Sequence, residues 1–505
     1  ELAEYTPRST MTYSASVEHS VSPLQLLKLF CPNFFGTQYP QVNTYWAGSY
    51  SAFWETCLFV GVLPAILAAW AAARGWKNRQ VVFAAVLAFF SLWLALGGYG
   101  LLYKLFFYFA PGFDRFRIPG RFSAFSSFAL AVLAGHGWSI YRGADSGPRQ
   151  RKSSSGLLLI AGIAFGLVAL LLAWVRTGLP QELIGGRMPR EAVTIIARKA
   201  CYSSLAWIAA AAVLIALAGR LRGRFGRWLG LTAVFFVFAE LYVFSNLFLK
   251  GPVSPDELYL RNEMVRRLQL ESERELFRIN ARDLDRPGIM LLRRNQGSIH
   301  RLFLIEGYNP LQLKRRMVDV QTERRFDLLN VKYRIKVDLE RKTAGFVLHP
   351  TYLPRAFIMH RWRVVESDEK IMETLNSGQF DHRSEVVLEQ DPGIDMPAGA
   401  AHIESKVEVA EYGPNEIVLA VESPEPGIVV LSEWHYPAWK AWVDGRQVPV
   451  LRADYALRGV AVEPGAHAIR FTYSSEMFRL GLLISGLAAV MSAVLALVAW
   501  RKGIW

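Results

Sequence analysis

The sequence predicts a multi-spanning α-helical membrane bundle of about seven spans, with an extracytoplasmic α+β region that ends in an antiparallel β-sandwich. Three observations predict it. Long uncharged apolar runs are clustered rather than spread through the 505 residues. Basic residues gather in alternate short loops. From about Lys406 the pattern changes to short alternating runs separated by Gly- and Pro-rich turns. The totals agree, with 52% hydrophobic residues and a mean hydropathy of +0.20. The formal charge of +14 does not point to nucleic acid, because many basic residues flank the apolar runs.

Residues 1–52 are polar and aromatic, broken by Pro23, Pro32, Gly36 and Pro40, and read as an extracytoplasmic loop. Residues 53–249 read as a six-span bundle, with spans over 53–73, 81–96, 122–140, 156–175, 202–218 and 228–249. Each run approaches the roughly 20 residues that cross a ~30 Å apolar layer as a helix, the form that satisfies every backbone amide internally. A seventh span covers about 480–500, within a C-terminal segment 479–505 that ends in a short cytoplasmic tail. Arg74, Lys77 and Arg79 join the first two spans; Arg142, Arg149, Arg151 and Lys152 join the third and fourth; Arg220, Arg222, Arg224 and Arg227 join the fifth and sixth; Arg501 and Lys502 follow the seventh. Alternation puts all four groups on one side, which is then cytoplasmic. Residues 250–478 fall outside, as a mixed α/β region (250–405) and a β-sandwich region (406–478). The three cysteines, Cys31, Cys57 and Cys201, leave this polar block without a disulfide framework.

Two outer loops, 97–121 and 176–201, are basic where short outer loops usually are not. The first opens with GYGLLYKLFFYFA, too short to span and suited to an interfacial helix, and closes with FAPGFDRFRIPGRF. There Arg115, Arg117 and Arg121 follow Asp114, and Pro111, Gly112, Pro119 and Gly120 shape the backbone. Guanidinium forks hold phosphate bidentately, so this trio is the candidate phosphate-binding group. The same arginines also suit lipid headgroups or snorkelling. Asp114 is placed to orient one of them, Glu55 to line a site that opens outward, and Glu240, inside the sixth span, to face the bundle with a partner. Nothing resembles HExxH, GxxxxGK[ST] or GxSxG, so zinc peptidase, ATPase and α/β-hydrolase chemistry lack support.

A resemblance adds to this reading. SPLQLLKLFCPNFFG, ETCLFVGVLPAILA, PGFDRFRIPGRF, IEGYNPLQLKRR, LLNVKYRI, LPRAFIMHRW and SEWHYPAWKAWVDGRQVPVLRADYALRGVAVEPGAHAIRFTYSSEMF follow one another in the chain. In that order they look like the bacterial membrane protein family YfhO, which resembles the GT-C glycosyltransferases. The resemblance implies transfer of a sugar from a polyprenyl-phosphate carrier to a cell-envelope polymer on the outer face of the bacterial plasma membrane. Membrane lipid, lipid-linked sugar and polymer acceptor would be the partners, and a divalent cation is an expectation of the resemblance alone. Such enzymes carry a catalytic carboxylate in the first outer loop. No acidic residue of 1–52 matches it, so it is expected upstream of Glu1, and this chain is then the C-terminal portion, inactive by itself. The alternatives are a non-catalytic envelope scaffold or binding protein and, less favoured, a transporter. The spans carry no paired interrupted helices of the transporter kind.

Overall fold

The computed structural model describes residues 5–7, 11–36, 53–143, 148–179, 189–220, 224–249, 254, 263–284, 289–292, 294–309, 312–341, 343–397 and 404–502. Residues 37–52 and the 180–188 stretch of the second basic loop lie outside these. The chain divides into two units, Arg8–Val253 and Glu1–Pro7 with Ser254–Trp505.

The first unit is helical: α1 (Val62–Arg74), α2 (Arg79–Ala95), α3 (Leu101–Phe109), α4 (Ser123–Gly143), α5 (Pro148–Thr177), α6 (Arg190–Arg220) and α7 (Arg224–Leu249). Its largest core joins α1, α4, α5, α6 and α7 and takes in Cys31, Phe34 and Phe35 from the segment before them. The bundle closes through small residues. A Cβ on Gly137 of α4 would stand 2.1 Å from the Leu67 carbonyl of α1, so only glycine allows that approach. Large apolar side chains such as Phe83, Phe89, Phe235 and Phe238 point outward, as lipid-facing residues do.

The span count differs from the sequence expectation. Among the described residues, four helices are long and apolar enough to cross a membrane: Ser154–Thr177, Arg190–Arg220, Trp228–Asn246 and Glu476–Arg501. The first expected span is the clearest departure. Phe53–Thr56 forms a tight 3-10 turn, Gly61 takes φ 95°, and α1 begins only at Val62. Its 13 residues rise roughly 20 Å, short of an apolar layer. α2, with 17 residues, is also short. α4 has 21 residues, but Ser123, Ser126, Ser127, Gly135, His136 and Gly137 dilute its apolar character.

The second unit is β-rich. β1 (Arg278–Asn280), β2 (Phe303–Leu304), β3 (Val331–Asp338) and β4 (Thr343–Leu348) form one sheet in the order β2-β1-β3-β4. β5 (Ala356–Met359), β6 (Trp362–Val364), β7 (Val386–Leu388), β10 (Gly427–Trp434), β13 (Leu451–Ala453) and β14 (Leu457–Val462) make a second, ordered β5-β10-β14-β13-β7-β6. β8 (Lys406–Tyr412), β9 (Glu416–Ser423), β11 (Trp439–Val443), β12 (Arg446–Val448) and β15 (Gly465–Tyr473) make the third, ordered β12-β11-β15-β9-β8. Pairing is not wholly antiparallel: β6 runs parallel to β7, and β1 parallel to both β2 and β3.

β10 explains the layering. GIVVLS is buried on both faces. Val429 and Leu431 enter a core shared with Leu419, Ile469 and Phe471 of the third sheet. Ile428 and Val430 enter another beneath α10 (Asp368–Asn376), reached after α8 (Glu263–Ser272) and α9 (Thr322–Leu328). A strand covered on both sides reads as a continuous apolar run. α11 (Glu476–Arg501) ends the described chain, with Ser475 Oγ accepting the Phe478 amide at 3.1 Å.

Candidate functional site

The 110–122 loop has a fixed shape, and its cause is local. Gly112 turns left-handed at φ 76°, and a short turn, Phe113–Arg115, follows. Phe113 packs against Tyr103, Phe106 and Phe122, with ring centroids 5.2, 5.3 and 6.1 Å away. Tyr103 donates its hydroxyl to the Phe116 carbonyl at 3.2 Å. Ile118 then takes φ 69°, and its amide donates to the Ser16 carbonyl at 3.2 Å. A β-branched residue in that region is strained by about 1–3 kcal/mol and persists only where its surroundings hold it. Gly120 is seated so closely that an added Cβ would lie 2.5 Å from the Glu55 carbonyl and 2.6 Å from that of His19. The loop is therefore clamped between the Ser16–Ser20 turn and the segment that carries Glu55.

The three arginines have different surroundings. Arg121 forks onto Glu55, Nε to Oε2 at 2.8 Å and Nη2 to Oε1 at 2.7 Å. Arg117 reaches Glu18 only at 3.9 Å, and its buried Nε has no hydrogen-bond partner among the described residues. Arg115 is exposed, and no ion pair is formed by it among the described residues. The carboxylates that face the trio are Glu55 and Glu18; Asp114 pairs with none of the three among the described residues. Sequence reasoning passed over Glu18, whose distance from the loop in the chain concealed it.

It also missed Lys28. This lysine is buried, donates to Thr56 Oγ1 at 2.9 Å beside Glu55, and is pushed down to about 8 by burial, with Cys57 acting the other way. Its one signal in the sequence is a single cation within the apolar run LQLLKLF.

Glu240 does not join this group. Both its oxygens accept the Val62 amide, at 3.1 and 3.0 Å, so it caps α1 from across the bundle. It lines a cavity of about 50 Å³ with Asn33, Ser203, Ser204 and Trp207, and no loop arginine reaches that lining. A larger apolar cavity of about 300 Å³ is walled by α1, α2 and α4, chiefly by Ala65, Ala68, Ala69, Ala85 and Ala88 with Phe30. Among the described residues no three His, Cys, Asp or Glu side chains converge as metal ligands, so no step is assigned to a cation.

The family model described as bacterial membrane protein YfhO matches residues 398–485. Over that stretch, from just before β8 to the first turns of α11, the chain is similar to YfhO. No curated protein matches the chain, and no solved structure does.

Proposed function

We propose that this membrane protein serves sugar transfer from a polyprenyl-phosphate carrier to a cell-envelope acceptor, with the 110–122 loop as the phosphate clamp. The observation that carries the reading is the difference between the arginines. Arg121 is neutralised and anchored by Glu55. Arg115 and Arg117, neither of them held in a close ion pair among the described residues, are left to meet an anion on a backbone held rigid by Ile118 and Gly120. The alanine-lined cavity suits the isoprenoid tail, with small side chains leaving room for branched methyls. In the reaction an acceptor hydroxyl attacks the anomeric carbon. The bond from that carbon to the phosphate oxygen breaks, and the phosphate leaves with the electron pair. A general base takes the hydroxyl proton. Arg115 and Arg117 stabilise the charge that grows on the departing phosphate. The β-rich region, read as a sandwich with an added parallel edge, would lie on the acceptor side.

Arg115→Lys and Arg117→Lys should each lower transfer about tenfold or more while keeping the charge, because a lysine has no fork. Glycan transfer measured in membranes checks this, and undiminished transfer by both variants would remove the clamp. A scaffold without catalysis is the second reading. It is favoured by one fact, that the family match falls on the β-rich region and spares the arginine loop.

A further inference from the structure

The hairpin between β13 and β14 turns on Asp454 and Tyr455, at φ 45° and φ 75°. The loop has three residues, since Ala453 pairs with Leu457, and two of them take the left-handed backbone that glycine, asparagine and aspartate adopt most readily. A tyrosine in the second place is strained, and such strain collects at ligand sites. Tyr455 lines a cavity of about 320 Å³, at the lower end of the roughly 300–1,000 Å³ range of small-molecule sites. The Arg315 guanidinium lies 5.4 Å from the centre of its ring.

The polar groups of this cavity are held in place before any ligand arrives. Arg315 is gripped by Glu389 and Asp368. Arg452 donates to Glu389 at 2.9 Å and to His435 Nδ1 at 3.4 Å. Burial, reinforced by the Arg452 charge, pushes His435 down to about 4, so at neutral pH it is uncharged. Tyr5 adds a second aromatic wall. Lys314, Arg315 and Arg452 outnumber Asp368 and Glu389, which leaves a net positive lining.

We propose that the cavity between Tyr455, Arg315, Arg452 and His435 binds a sugar unit that carries an anionic group. Aromatic faces pack on the C–H side of a pyranose, forked arginines and carboxylates meet vicinal hydroxyls, and the surplus cation meets the anion. The site is separate from the arginine loop, and its occupancy is read without any transfer, so it stands or falls apart from the transferase reading.

The test is equilibrium binding by the full chain in nanodiscs, with glucose 1-phosphate, glucuronic acid, glucose and inorganic phosphate as probes. Glucose 1-phosphate or glucuronic acid should bind about tenfold more tightly than glucose or phosphate. Which of the two binds identifies the anion. Tyr455→Asn keeps a residue that tolerates the left-handed turn. Arg452→Lys keeps the charge but loses the second arm. Each should weaken the preferred probe about tenfold, with melting temperature followed in parallel. No saturable binding, equal binding of inorganic phosphate, or wild-type affinity in a folded variant would overturn the proposal.

Discussion

Glu433 sits among more positive charge than it can balance. Its Oε1 accepts from Arg278 Nη2 at 2.7 Å, from Arg355 Nη1 at 2.9 Å and from the Tyr412 hydroxyl. Burial alone would raise its carboxyl, but Arg278 and Arg355 hold it below the ordinary range. Arg458 lies nearby, 4.0 Å from the centre of the Trp439 ring. Removing this anion strands buried guanidinium groups, so Glu433→Gln should destabilise the chain by about 3–5 kcal/mol, read by thermal melting. Asp454 is the opposite case, a buried acid raised to about 7 by desolvation, against which the Val387 amide, 3.0 Å from Oδ1, acts. The folded chain thus holds this proton more tightly than the unfolded one. Its contribution to stability is complete below about pH 4 and is lost as pH rises to about 7. Asp454→Asn keeps the acceptor and suits φ 45°. Its melting temperature should match the wild type near pH 4 and rise above it progressively up to pH 7.5; a constant gap would show that ionisation plays no part. Neither role was legible beforehand, since a carboxylate's environment belongs to its distant neighbours. The arginine loop was legible because its prolines, glycines and charges are contiguous.

Strands were easier to read than helix starts. VEVAEY, NEIVLAVES, GIVVLSEW and HAIRFTY fall on β8, β9, β10 and β15, because alternation and turn residues are local signals. The boundary at residue 405 was not visible in structure. β5, β6 and β7 complete the sheet of β10, and three- or four-residue strands carry too little pattern to be noticed. The start of α1 was misread for a similar reason, as its cap comes from Glu240, 178 residues away in sequence. Glu240→Ala should lower stability by about 0.5–2 kcal/mol, as loss of a helix cap does, and Glu240→Gln should recover most of it through its remaining carbonyl oxygen. Equal melting temperatures for the two variants would deny the cap its energetic role.

At the scale of the whole molecule, α4 decides how the chain threads the bilayer. The transfer scheme takes α5, α6 and α7 as crossing; on that premise residues 97–121 and the β-rich region share one side of the membrane when α4 crosses as well, and not otherwise. The proposed clamp and an acceptor-side β-region require the first arrangement. With Cys31, Cys57 and Cys201 replaced, Arg115→Cys and Ser405→Cys should both react with a membrane-impermeant maleimide added from outside. Labelling of Ser405→Cys alone would place the loop inside and end the transfer scheme. Amphiphilic helices of intermediate hydropathy such as α4 are the point at which reading spans from sequence stops being decisive.

α11 carries one more implication. None of its 26 residues is buried against the rest of the chain. Beyond Glu476, which accepts from Lys440 Nζ at 3.4 Å, its exposed side chains meet the surrounding medium, so length and greasiness constrain it while the identity of each residue hardly does. It behaves as a tether rather than a part, exchangeable in principle for any hydrophobic rod of equal reach.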